Sequence, residues 1–219
     1  METWARERGH SLRKVELFRG DDWPDDFPRE NEYDGLFILG GLMNVYQEDR
    51  YPWLAREKEF IAAAVAGGKA VLGICFGAQL LSVALGGRVE RNAHKEVGWF
   101  EVELTPAGRE AALLGGFPDR FMVMHWHGDC FTIPPGAVHV ARSRACEWQG
   151  FVYNDRVVGL QFHPEFTAET IAALIEHCPD DVAGGPFIQD PGAIEQGMNH
   201  LASAHALLAG LLARLAAVG

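Results

Sequence analysis

Two short patterns in the chain have the composition of a nucleophile and its base. The first is Gly73-Ile74-Cys75-Phe76-Gly77, which closes the apolar run Ala70-Val71-Leu72-Gly73-Ile74 and opens the helix-like Phe76-Gly77-Ala78-Gln79-Leu80-Leu81. Glycines two residues either side of a cysteine, between a strand and a helix, are the layout of a nucleophile elbow, with sulfur in place of the more usual hydroxyl. Lacking Cβ, they permit the tight turn and close approach to the sulfur. The helix N-terminus favours a thiolate. A buried structural cysteine at a strand end would also fit this pattern taken alone. The second pattern is Val157-Val158-Gly159-Leu160-Gln161-Phe162-His163-Pro164-Glu165, an apolar strand ending in a histidine and a carboxylate two positions apart. In extended chain these side chains share a face, so Glu165 can orient the imidazole and His163 can serve Cys75 as base and then acid. The chemistry expected of this set is acyl transfer. Its tetrahedral oxyanion needs preorganised N–H donors, and the backbone N–H of Phe76 is the natural first one.

These motifs resemble the class I glutamine amidotransferases. The family's G-x-C-x-G-x-Q is met by Gly73, Cys75, Gly77 and Gln79, and its H-P-E by His163, Pro164 and Glu165. A third motif, a strand ending in Gly-Gly, is met by Leu36-Phe37-Ile38-Leu39-Gly40-Gly41, with Leu42 where proline is usual. The stretches Glu96-Val97-Gly98-Trp99-Phe100 and His125-Trp126-His127-Gly128-Asp129 are similar to the stand-alone, GMP-synthase-like branch. The resemblance runs from about Glu2 to about Glu176. It implies that Gly41 supplies the second oxyanion donor. It also implies that Trp126, His127, Gly128 and Asp129 line the glutamine pocket through main-chain contacts, although Trp126 stands where serine is usual. The activity it implies is hydrolysis of a γ-glutamyl amide through a Cys75 thioester, with no cofactor and with ammonia passed to a separate synthetase. A γ-glutamyl peptidase or hydrolase and a catalytically idle regulatory subunit are the alternatives.

Other residues have two readings each. Gln79 lies one helical turn beyond Cys75, where its amide could hold substrate or simply face solvent. Glu96 could bind a substrate α-amino group or cap a strand. His125, His127 and Asp129 are good zinc ligand types, but no third ligand cluster lies at convincing spacing, so no metal is expected. Cys130, Cys146 and Cys178 lack an elbow and read as structural. His10, His94, His139, His177, His200 and His205 have no carboxylate two residues on in a strand and read as surface or core histidines.

These motifs need a framework. Its 219 residues suit one α/β domain with an appendage, and 48% hydrophobic residues suffice for a core. A net charge of −11 and a pI near 5.2 argue against nucleic acid as a partner. Four cysteines do not make a disulfide framework, and the start has no apolar signal-peptide run, so the expected compartment is the cytoplasm. The pattern predicts a doubly wound, mostly parallel sheet of flavodoxin-like type with antiparallel strands added after Gly86-Gly87. The expected division is an amidotransferase-like domain over 1–178, a linker over 179–192, and a C-terminal helix over 193–219 packed on the domain rather than spanning a membrane. Lys14-Val15-Glu16-Leu17-Phe18 alternates like a strand, and the acidic Asp21–Tyr33 stretch with Pro24 and Pro28 reads as loop. The family's domain opens with a strand that lies inside the sheet, whereas this chain opens within the first helix. The first strand is therefore expected to be missing, with a natural start some twenty residues earlier. Lys14–Phe18 should then stand apart from Leu36–Leu39 or have slid over to pair with it.

Overall fold

The computed structural model describes residues 1–19, 23–25 and 27–219. Asp21, Asp22 and Asp26 of the expected acidic loop lie outside the described residues. Helix α1 (Glu2–Glu7) is followed by strand β1 (Gly35–Ile38), helix α2 (Trp53–Ala66), strand β2 (Ala70–Ile74) and helix α3 (Phe76–Ala84). The chain then turns to strands: β3 (Val89–Leu104), the short helix α4 (Pro106–Glu110), β4 (Arg120–Phe131), β5 (Val138–Arg142), β6 (Gly150–Tyr153) and β7 (Val157–Leu160). Helices α5 (Ala168–His177), α6 (Pro191–Gln196) and α7 (Leu201–Val218) close it. The seven strands form one sheet in the order β1-β2-β7-β6-β5-β3-β4. The pairings β1–β2 and β2–β7 are parallel, and the other four are antiparallel. The parallel unit carries both chemistry-bearing strand ends, and the antiparallel ribbon is the addition anticipated after Gly86-Gly87.

Both faces of the parallel unit are covered, so its strands are apolar throughout. Val71 and Val157 pack with Leu54, Ile61, Leu80 and Leu81 of α2 and α3. Leu72, Ile74, Val158 and Leu160 face the other way, toward Ala204, Leu208, Leu211, Leu212 and Leu215 of α7. That helical stripe buries four leucines, each contributing roughly 1.5–3 kcal/mol. Residues Pro191–Val218 are long and apolar enough to cross a membrane, but the apolar stripe of α7 is occupied by the sheet. The hairpin between β6 and β7 turns through Asn154 and Asp155, both at positive φ (49° and 51°), the primed geometry that matches strand twist.

Three expectations change. Lys14–Phe18 is not a strand: Leu17–Arg19 forms a 3-10 turn, with Glu16 bridged to Lys14 at 3.0 Å and to Arg19 at 2.6 Å. Alternation over five residues makes a strand only where a ladder partner exists, and here Leu17 alone reaches the core while Phe18 is exposed. Among the described residues β1 therefore pairs on one side only and forms a sheet edge, and Lys14–Phe18 has not slid over to it. The closing helix is in two parts, separated by a 3-10 turn at Gly197–His200. Trp99 explains the break. Its indole N–H donates to the Ile194 carbonyl (2.9 Å), which a continuous helix would use internally, and a Cβ on Gly197 would lie 2.0 Å from the Trp99 ring. The stretch expected as a linker is tied to β3: Val97 N–H donates to the Phe187 carbonyl (2.9 Å), Gln189 N–H to the Val97 carbonyl (2.9 Å), and the Gln189 amide pairs with the Trp99 backbone.

Candidate active site

Cys75 sits between β2 and α3 at φ 51° and ψ −109°, a conformation that costs of order 1–3 kcal/mol for a residue with a side chain. Its neighbours hold it there. Its N–H donates to the Leu160 carbonyl of β7 (2.7 Å), and its carbonyl accepts from Gln79 N–H (3.0 Å), which starts the helix. The flanking glycines are required by contact: a Cβ on Gly73 would lie 2.6 Å from the Gly77 carbonyl oxygen, and one on Gly77 would lie 2.0 Å from that of Ile38. The elbow is thus wedged against the end of β1.

His163 follows β7 by three residues, and its N–H donates to the Met124 carbonyl of β4 (2.8 Å). Its Nδ1 lies 2.8 Å from Glu165 Oε1, so Nδ1 carries the proton that the carboxylate accepts and Nε2 is left to exchange protons. Phe166 stacks on the imidazole with centroids 3.9 Å apart. Burial disfavours the imidazolium, but the Glu165 carboxylate and the Cys75 side chain outweigh it, raising the His163 pKa to about 10. Because that value exceeds the ordinary 6.5, the folded state gains stability from this proton fully below pH 6.5, and loses it as pH rises through about 10. The unfolding free energy of wild type minus that of His163→Gln, measured in urea at pH 6, 8 and 10, is expected to shrink steadily. A difference independent of pH would refute the ion-pair assignment.

The loop after β1 closes the site. A Cβ on Gly40 would stand 3.2 Å from His163 Cε1 and 3.9 Å from Cys75 Cβ, and one on Gly41 would meet the Phe76 ring at 3.2 Å. Gly41 and Phe76, the two oxyanion candidates, are therefore neighbours, while Leu42 is 88% exposed. Gln79 is buried rather than on the helix surface. Its amide N–H donates to the Asp129 carbonyl (3.2 Å) and to Gln161 Oε1 (3.3 Å). The Trp126 carbonyl lies 3.9 Å from Cys75 Sγ, and its indole N–H donates to Asp181 (2.8 Å). Asp129 accepts from the Tyr46 hydroxyl (3.1 Å), linking the loop after β1 to β4 beside Gly128.

Glu96 and His127 behave differently. Glu96 is 1% exposed, and its Oε2 lies 3.3 Å from His125 Nδ1, 3.2 Å from His127 Nε2, and accepts from Ser143 (3.1 Å) and Gln149 (2.7 Å). Burial raises its pKa, but the two imidazoles outweigh that and hold it well below the carboxylate range. This carboxylate is engaged inside the protein rather than offered to a substrate amine. The third metal-ligand type missing from the sequence around His125 and His127 is supplied by β3, where Glu96 is the register partner of His127.

Two further site residues escaped the sequence reasoning. Gln161 donates toward Cys75 Sγ at 3.5 Å, and strand alternation two residues before His163 was the signal for it. Gln149 joins the Glu96 cluster from just before β6, and no local pattern marks it.

A parallel unit with helices on both faces carries a cysteine elbow on one strand and a paired histidine and carboxylate beyond the next. The family described as glutamine amidotransferase class-I matches residues 3–178. A glutamine amidotransferase-like protein of Salmonella typhimurium, YfeJ, is 33% identical over 82% of this chain and 75% of its own length. A glutamine-hydrolysing GMP synthase of Aeropyrum pernix is 42% identical over 60% of the chain but only 24% of its own length. Among solved structures, a glutamine amidotransferase of Thermotoga maritima superposes with a TM-score of 0.85 at 34% identity, covering 98% of this chain and 90% of that one. The chain belongs to the class I glutamine amidotransferase family, and its aligned part spans about a quarter of the GMP synthases it resembles.

Proposed function

We propose that the protein hydrolyses the γ-carboxamide of glutamine and delivers ammonia to a separate synthetase. Cys75 Sγ bonds to the amide carbon, and its proton resides on His163 Nε2. The oxyanion is held by the N–H groups of Gly41 and Phe76. The C–N bond then breaks as His163 protonates the leaving ammonia. Water, deprotonated by His163, attacks the thioester, and glutamate leaves as Cys75 recovers its proton. Glu165 orients the imidazole throughout, while Gln79 and the backbone of Trp126, Gly128 and Asp129 position substrate. None of these steps calls for a cofactor. A thiol nucleophile and four free cysteines suit a reducing cytoplasmic setting. The observation that carries the reading is the 2.8 Å His163–Glu165 contact beside a strained, glycine-flanked Cys75.

A second reading, hydrolysis of γ-glutamyl peptides or glutathione conjugates, is favoured by Trp126, whose bulk tied to Asp181 suits a larger leaving group. Offering glutamine, γ-glutamyl dipeptides and glutathione to the purified protein and following glutamate release separates the two. Ammonia from glutamine supports the first, whereas turnover confined to peptides replaces it with the second. No glutamate from any of them would leave the family's idle, regulatory form.

A further inference from the structure

The Glu96 cluster is not used by the chemistry above, and its proton bookkeeping does not close. His127 Nδ1 lies 3.1 Å from the Asp129 carbonyl oxygen, so it must carry hydrogen. In the neutral ring Nε2 is then a bare lone pair, yet it faces the Glu96 Oε2 lone pairs at 3.2 Å. Gln149 Nε2 has two hydrogens and four polar neighbours: Glu96 Oε2 at 2.7 Å, Ser143 Oγ at 3.1 Å, His125 Nδ1 at 3.4 Å and His127 Nε2 at 3.5 Å. Meanwhile Gln149 Oε1, Glu96 Oε1 and His125 Nε2 are buried without partners among the described residues. Converging lone pairs at the centre of the cluster are what a cation requires.

The geometry points to a divalent transition-metal site of zinc type, held by Glu96 Oε2, His125 Nδ1 and His127 Nε2. The fourth ligand is the Gln149 amide oxygen after a half-turn of the amide, whose two ends are interchangeable in shape. Tetrahedral bonds of about 2.0–2.2 Å place ligand atoms about 3.3–3.6 Å apart. The observed spacings from Glu96 Oε2 to the two ring nitrogens are 3.3 and 3.2 Å, and the ring nitrogens lie 3.4 and 3.5 Å from the Gln149 amide. Of these five edges the 2.7 Å Glu96–Gln149 one must open, and the sixth, between the two ring nitrogens, lies within 4.8 Å. The donors suit zinc, with two imidazoles, a carboxylate and an amide. The His127 N–H to the Asp129 carbonyl is the outer-shell bond that commonly fixes a ligating imidazole. Glu96 and His127 flank the place where β3 shifts register between Arg91 and Glu96, so the ion would clamp that irregularity to β4 and to the segment before β6.

The test uses the whole chain without an affinity tag, purified in metal-scrubbed buffers. About one zinc per chain is expected. Chelation should lower Tm, and titration of the stripped protein with Co2+ should give the visible bands of a tetrahedral nitrogen–oxygen site, saturating at about one equivalent and displaced by Zn2+. Glu96→Gln should weaken Co2+ binding at least about tenfold. Should that variant not fold, His125→Asn provides the same test. Cys75→Ala should keep the metal in full, which separates this site from the thiol chemistry. A stripped chain giving no Co2+ bands overturns the proposal. Uptake unchanged in the variants overturns it too, by placing the ion on surface histidines.

Discussion

Replacing Cys75 by alanine is expected to lower glutamate release by at least about 10⁴-fold, the scale on which removing an acyl-transfer nucleophile leaves only binding and oxyanion stabilisation. The fold should survive. Among the described residues the polar partners of Sγ are the Gln161 amide at 3.5 Å, the Trp126 carbonyl at 3.9 Å and the His163 imidazole, while the Cys75 backbone keeps its own bonds to Leu160 and Gln79 in the alanine variant. The backbone strain at this position persists either way. Cys130→Ala, Cys146→Ala and Cys178→Ala should retain most activity, since among the described residues none of the three hydrogen-bonds to His163, Cys130 Sγ facing Asn92 and Cys146 Sγ the Trp148 carbonyl. A diazo-ketone analogue of glutamine should add one label per chain, found at Cys75 by peptide mapping. Label elsewhere, or activity surviving in Cys75→Ala, would rule out the proposed nucleophile.

Removing His163 should be nearly as damaging, whereas Glu165→Gln should be the mildest lesion of the three. With His163→Ala, no group remains to receive the thiol proton or to protonate the departing ammonia, and the loss should again be about 10⁴-fold or more. Glu165→Gln keeps a partner within reach of Nδ1 but removes the charge that favours the imidazolium. The Phe166 stack and the His163–Met124 backbone bond still hold the ring in place. Its turnover should fall less, by roughly 10–100-fold less than in His163→Ala, with KM little changed. Steady-state kinetics on the three variants settles the order. A Glu165→Gln protein as inert as His163→Ala would mean that the carboxylate does more than orient.

The parts of this protein readable from sequence are those whose signals are local. The elbow is a five-residue pattern, and its glycines prove necessary because two carbonyls press on them. His163 and Glu165 read as a pair from strand period, although β7 ends at Leu160 and it is the turn at Pro164–Glu165 that brings the carboxylate to the ring. Thr167 caps α5 by a similarly local bond, its side chain accepting from Thr170 N–H three residues on (3.2 Å). What sequence did not disclose depends on partners far along the chain. The Glu96–His125–His127 grouping exists only through the β3–β4 register, and the helix break at Gly197 only because Trp99 arrives from β3. Lys14–Phe18 carried a strand's alternation without a strand's neighbours. Even Gln79, correctly placed one turn from Cys75, gained its buried role from Asp129 and Gln161 on other strands.

The open flank of β1 also bears on how the protein would lose function. Protein segments open locally at free energies set by how many bonds hold them. β2 is bonded on both sides and keeps Cys75 suspended between β1 and β7, but among the described residues β1 is paired along one side and runs straight into Gly40 and Gly41. Fraying of this strand would withdraw the proposed Gly41 donor while the thiol and imidazole stayed in register. Such a chain would remain folded and still take up an alkylating label, yet turn over nothing. Its amides along Leu36–Ile38 would trade hydrogen for deuterium well before those of Val71–Ile74, so inactivation would precede melting.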